Sequence, residues 1–104
     1  MAGAEDLSRQ RLDKWLWHVR LQPTRSKAAL FIRAGYARLN GQRVEDPAKS
    51  VRCGDVLTLA LARETPVVRV EKILPRRLGA PLASAAYSRI DTGSGNRSAI
   101  EPLP

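Results

Sequence analysis

At 104 residues the chain is expected to form one domain with a small core. Eighteen Lys and Arg against ten Asp and Glu leave a formal net charge of +8 and an isoelectric point near 10.8, which points to a polyanionic partner, most often nucleic acid. The plain alternative is a basic, well-solvated surface. Cys53 is the sole cysteine, so an internal disulfide is excluded; no apolar run approaches the ~20 residues of a membrane span. The opening MAGAEDLSRQ lacks the apolar core of a signal peptide, so a cytoplasmic location is expected.

The charge is unevenly placed. Residues 9–49 hold ten Lys and Arg against three acids, and the remaining segments are close to balanced. The same segment has the clearest helical pattern. Leu12, Trp15, Leu16 and Val19 recur at the spacing of one helix face. Asp13 sits in the first turn, where a carboxylate favours the positive end of the helix dipole. Ser8 is an alternative cap for a helix beginning one turn earlier. Pro23 breaks the pattern, and Thr24 can cap a second helix from about Arg25 to Ala34. Ala28, Phe31, Ile32 and Gly35 form its apolar set, and Gly35 suits the left-handed residue that ends it. Arg11, Lys14, Arg20, Arg25, Lys27 and Arg33 fall off the two buried faces.

Tyr36 to Leu39 alternates as a strand, with Ala37 and Leu39 on one face. Asn40-Gly41 is a strong hairpin signal, since both residues accept the positive φ of a type I′ turn. Gln42 to Val44 returns as a second strand, and residues 45–50 form a loop. Leu57, Leu59 and Leu61 share one face of a strand. Val67 to Leu74 reads as the last strand, with Val68 and Val70 inward. Two helices followed by about four strands predict an α+β fold, the helices packed on one side of a small antiparallel β-sheet. Residues 75–81 read as a Pro- and Gly-punctuated link, and 82–90 as a helical turn or two. Residues 91–104 are rich in Gly, Ser and Pro, the composition of a flexible, disordered tail.

Arg11-Leu12-Asp13, Thr24-Arg25-Ser26, Ala28, Ile32, Gly35, Asn40-Gly41 and Gly54-Asp55 together resemble the S4 RNA-binding domain and its alpha-L motif, over about residues 9–74. The run Lys14-Trp15-Leu16-Trp17 is similar to the heat shock protein 15 family of ribosome-associated proteins, as are Arg76-Arg77 and Ala85-Ala86-Tyr87. The resemblance implies binding to structured ribosomal RNA, on the large ribosomal subunit, in a heat-shock or ribosome-recycling role. It implies an RNA-contacting surface of Arg11, Lys14, Arg25, Ser26, Lys27 and Arg33, with Arg9, Arg20, Arg43 and Lys49 at the margin. Relatives of this branch often continue into a long charged C-terminal helix, from which the Gly/Ser/Pro-rich residues 91–104 depart. The domain is expected over 9–74, with linker and tail over 75–104, and the protein is expected to be a monomer.

Each residue also has an ordinary reading. Arg25 can grip phosphate or bridge to Asp13, and the two roles can coexist. Lys27 and Arg33 can be a solvated face. Trp17 either covers the Leu21–Pro23 loop or the sheet, or stacks on a base. Tyr36 either stacks on a base or covers the sheet edge, and Arg38 and Arg43 can extend the basic patch across the hairpin. His18 stands alone, so no metal is expected. Cys53 reads as a small core or turn residue. No nucleophile–base set or cofactor loop is visible, so no cofactor and no catalysis are expected. The alternative is an RNA-binding accessory to a pseudouridine synthase or methyltransferase whose catalytic unit is a separate chain.

Overall fold

The computed structural model describes residues 8–90. Its centre is a five-stranded antiparallel sheet in the order β3-β2-β5-β6-β7, with β2 at Ala37–Leu39, β3 at Gln42–Val44, β5 at Val56–Leu59, β6 at Val67–Val70 and β7 at Tyr87–Arg89. Two helices, α1 (Leu12–His18) and α2 (Arg25–Arg33), each bury one apolar side against one sheet face, with Leu30 left exposed. The fold is the expected α+β arrangement. Leu12, Trp15, Leu16, Val19, Ala28 and Ile32 from the helices meet Ala37, Leu39, Leu57, Leu59, Val68 and Val70 from the strands. Every one of these is buried, so both periodicities, 3.6 on the helices and 2 on the strands, point at the same core.

The local signals act as their chemistry requires. Thr24 caps α2, its hydroxyl accepting the Lys27 N–H at 3.0 Å. The helix ends at Arg33, one residue short of expectation, and Gly35 follows at φ +87°. Asn40 and Gly41 both have positive φ, +51° and +87°, and turn β2 into β3.

Four features depart from the sequence reading. The sheet has five strands, and a separate two-stranded ribbon pairs β1 (Gln10–Arg11) with β4 (Ser50–Val51). Two-residue strands are too short to show any periodicity. α1 therefore begins at Leu12 without a side-chain cap; its first amides reach across the chain, Leu12 N–H to the Lys49 carbonyl (2.8 Å) and Asp13 N–H to the Pro47 carbonyl (3.1 Å). β5 stops at Leu59, which leaves Leu61 half-buried beyond it, and β6 stops at Val70. Finally, the sheet runs past residue 74. After α3 (Ala80–Ser84), β7 pairs with β6 in the register Val68↔Arg89, Arg69↔Ser88 and Val70↔Tyr87. The expected disordered tail, 91–104, lies outside the described residues.

Residues 72–78 form a strap over α1. The Trp15 indole donates to the Lys72 carbonyl, and the Gln10 amide to the Leu74 carbonyl, both at 2.9 Å. His18 Nδ1 also lies 2.9 Å from the Leu74 carbonyl. A carbonyl only accepts, so Nδ1 carries the proton. Arg20 donates from Nε to the Leu78 carbonyl, and Arg77 from Nε to the Trp17 carbonyl. The carbonyls of Lys72, Leu74 and Leu78 thus find side-chain donors beyond the end of β6.

Candidate nucleic-acid interface

The best-organised basic surface is built on Asp13. This carboxylate is 3 % exposed, in the first turn of α1. Arg11 closes a fork on it, Nε to Oδ1 at 3.1 Å and Nη2 to Oδ2 at 2.9 Å. Arg25, the first residue of α2, brings its Nε to 3.7 Å from Oδ2. One buried acid thus holds Arg11 by two hydrogen bonds and draws Arg25 of α2 toward it by charge. Hydrogen bonding to Asp13 and its charge raise the Arg11 guanidinium above its ordinary range; burial opposes this slightly, and Asp46 adds to it. Arg11 stays charged at every physiological pH.

The Thr24 cap holds the first turn of α2, so Arg25, Ser26 and Lys27 stand exposed on a fixed backbone. Lys14 is half-buried on α1. Neither Lys14 nor Lys27 forms an ion pair among the described residues. Excess positive charge therefore remains around the Asp13 fork.

The other expected residues lie elsewhere. Arg33 is exposed at the far end of α2, about 12 Å along the axis from Arg25. Arg9 is exposed just before β1. Lys49 is exposed, and its carbonyl receives Leu12, which places its backbone at the start of α1. Arg43 and Lys49 border a hollow of about 680 Å³ that they share with Glu45 and Asp46, a mixed-charge site. Arg43 pairs with Glu45 at 3.2 Å, and its guanidinium lies where a Cβ on Gly35 would stand. Arg20 has positive φ, +67°, beyond the opposite end of α1, and its guanidinium holds the strap.

Trp17 is half-buried, its ring centroid 5.2 Å from that of His18. Tyr36 is 42 % exposed and tilts against Phe31. Cys53 is exposed in a turn, which removes its core reading; its Sγ donates to the Glu71 carbonyl.

The docking of loop 45–49 on α1 was not legible. Its one local signal is Asp46-Pro47: Asp46 Oδ1 accepts the Ala48 N–H at 2.9 Å, an Asx turn. That turn aims the Pro47 and Lys49 carbonyls at the helix. Arg77 stands out in the sequence only through the family resemblance; its contact is not legible, because its acceptor is a backbone carbonyl sixty residues away. Among the described residues no cluster of His, Cys, Asp and Glu suits a metal, and no helix is long and apolar enough to cross a membrane.

The fold is shared with known proteins. The S4 domain family model covers residues 10–57. A heat shock protein 15 homolog of Aeromonas salmonicida is 36% identical over 94 residues, which are 90% of this chain and 70% of the relative. Heat shock protein 15 of Escherichia coli K12 is 39% identical over 77 residues, 74% of this chain and 57% of that protein, so the match spans little more than half of it. A solved structure of Vibrio cholerae heat shock protein 15, described as trimeric, superposes with a TM-score of 0.75 at 40% identity, covering 80% of this chain and 83% of that one.

Proposed function

The chain belongs to the heat shock protein 15 family and carries that family's RNA-binding S4 domain, and from this premise we propose that it is a non-catalytic protein that docks on structured RNA of the large ribosomal subunit, in a heat-shock or ribosome-recycling role. The contact surface is Arg11, Lys14, Arg25, Ser26 and Lys27, with Arg9, Arg33 and Lys49 around it. The supporting observation is the Asp13 site, where the Arg11 guanidinium is held in a fork and that of Arg25 is ion-paired, with two lysines of the same helices that have no acidic partner among the described residues.

Guanidinium groups fork onto phosphate oxygens and keep their charge. A-form RNA hides its base edges in a deep groove, so a rigid basic patch reads backbone shape and 2′-hydroxyls. With six or so phosphates engaged, the log–log salt slope is on the order of −5. All five contact side chains come from one chain, so we propose that a single copy suffices; the Vibrio relative is described as a trimer.

Co-sedimentation with separated ribosomal subunits tests the reading. The protein is expected to pellet with large subunits and to be released by salt. Pelleting with small subunits alone, or with neither, overturns it.

A further inference from the structure

Ala37, Leu39, Leu57, Leu59, Val68 and Val70 point into the core, so the residues between them point to the opposite sheet face. There Arg38 stands directly opposite Arg43 on one side and Thr58 on the other, and Arg69 stands opposite Val56. Like charges paired across strands destabilise a sheet. Arg38 forms no ion pair among the described residues, and its Nε–H is shut from solvent without an acceptor, a second unfavourable feature at the same residue. Arg69 is exposed and likewise forms no ion pair among them. The acids of this face stand at its rims. Glu45 meets Arg43 at 3.2 Å with both exposed, and Glu71 accepts the Ser88 hydroxyl at 2.6 Å.

We propose that this face is a second phosphate-binding surface. Arg38, Arg43 and Arg69, with the Thr58 hydroxyl among them, take the sugar-phosphate backbone of a second RNA segment while the α1–α2 face holds the first, so that one chain bridges two segments. The inference rests on the RNA-binding reading and goes beyond it. A phosphate between Arg38 and Arg43 turns their repulsion into a shared attraction, held through the terminal guanidinium nitrogens. The exposed Arg43–Glu45 pair is weak and screened, so Arg43 can exchange Glu45 for phosphate. α1 and α2 cover only one face of the sheet, so Arg38 and Arg69 stand on the other, and the two basic surfaces approach each other only where Arg43 and Lys49 border one hollow.

The test is energy transfer between two short RNA duplexes, one labelled with a donor and one with an acceptor, each in excess over the full-length protein. Wild type is expected to bring the labels together. Arg38→Gln combined with Arg69→Gln should bind a single duplex within about twofold of wild type yet lower the transfer about fivefold or more, since only the sheet face gives up its hold on phosphate. Arg69→Gln alone changes an exposed side chain, keeps the fold and should lower the transfer partway. Undiminished transfer in both variants overturns the proposal. So does a wild type that binds one duplex tightly and never a second, the result expected if an acidic peptide is the true occupant. Failure to bind even one duplex overturns the RNA-binding reading along with it.

Discussion

Arg11 and Asp13, two residues apart at the start of α1, are joined by two hydrogen bonds of 3.1 and 2.9 Å, and the acid is buried while the arginine is half exposed. Net charge and orientation make opposite predictions here. Replacing Asp13 by Ala raises the net charge, which taken alone tightens binding to a polyanion. If Asp13 acts by aiming Arg11 and Arg25, its loss weakens binding instead. We expect Asp13→Ala to weaken duplex RNA binding by about threefold or more, because the charge-assisted bonds that fix the Arg11 guanidinium and the ion pair to Arg25 are removed. Titration at constant ionic strength measures it, and tighter binding would leave Asp13 with no orienting role.

The first turn of α2 permits a direct test of the surface. Arg25→Glu combined with Lys27→Glu should weaken RNA binding by about tenfold or more. The log–log salt slope should flatten by roughly two, at about 0.9 for each phosphate no longer neutralised. Both side chains are exposed, so circular dichroism should be unchanged. Unaltered affinity would move the interface elsewhere.

Thr24 holds that turn through its hydroxyl and is not among the proposed RNA contacts. Thr24→Ala removes the acceptor of the Lys27 N–H and should cost about 1 kcal/mol of stability. Affinity should fall as well, because Arg25, Ser26 and Lys27 then sit on a frayed turn. Thr24→Ser keeps the oxygen and should restore both, as thermal melts and RNA titration will show.

Trp15 couples the core to the strap. Trp15→Phe keeps most of the apolar volume and removes the donor to the Lys72 carbonyl, which should cost about 1–3 kcal/mol. Amide exchange is expected to speed up in residues 72–78 before it does in β2 or β5. Uniform acceleration would mean that the strap and the sheet open as one unit.

Gly35 and Gly41 share φ +87° but differ in surroundings. Alanine at either carries the left-handed penalty of about 1–2 kcal/mol. At Gly41 nothing lies within 4 Å of the new Cβ, whereas at Gly35 the Arg43 guanidinium occupies its place. Gly35→Ala should therefore destabilise more than Gly41→Ala. The excess should vanish in an Arg43→Ala background, which urea unfolding of the four variants can measure.

Much of the fold was legible because it follows from local rules. Apolar spacing marked both helices and the inward valines of β6, Thr24 and Gly35 bounded α2, and Asn40-Gly41 placed the hairpin. The concentration of positive charge in residues 9–49 was equally plain. Tertiary structure alone decided which of those cations gather. It added Arg11 to the bridge from Arg25 to Asp13 that the sequence already offered, and it spent Arg20 and Arg77 on carbonyls of a strap and a helix end. It also added the ribbon of β1 and β4, the start of α1 on loop 45–49, and β7. The reason is physical. Periodicity and capping are properties of neighbouring side chains and leave their mark in residue types. A hydrogen bond to a distant backbone carbonyl uses a group every residue carries, so nothing in the residue types announces the partner until the chain has folded.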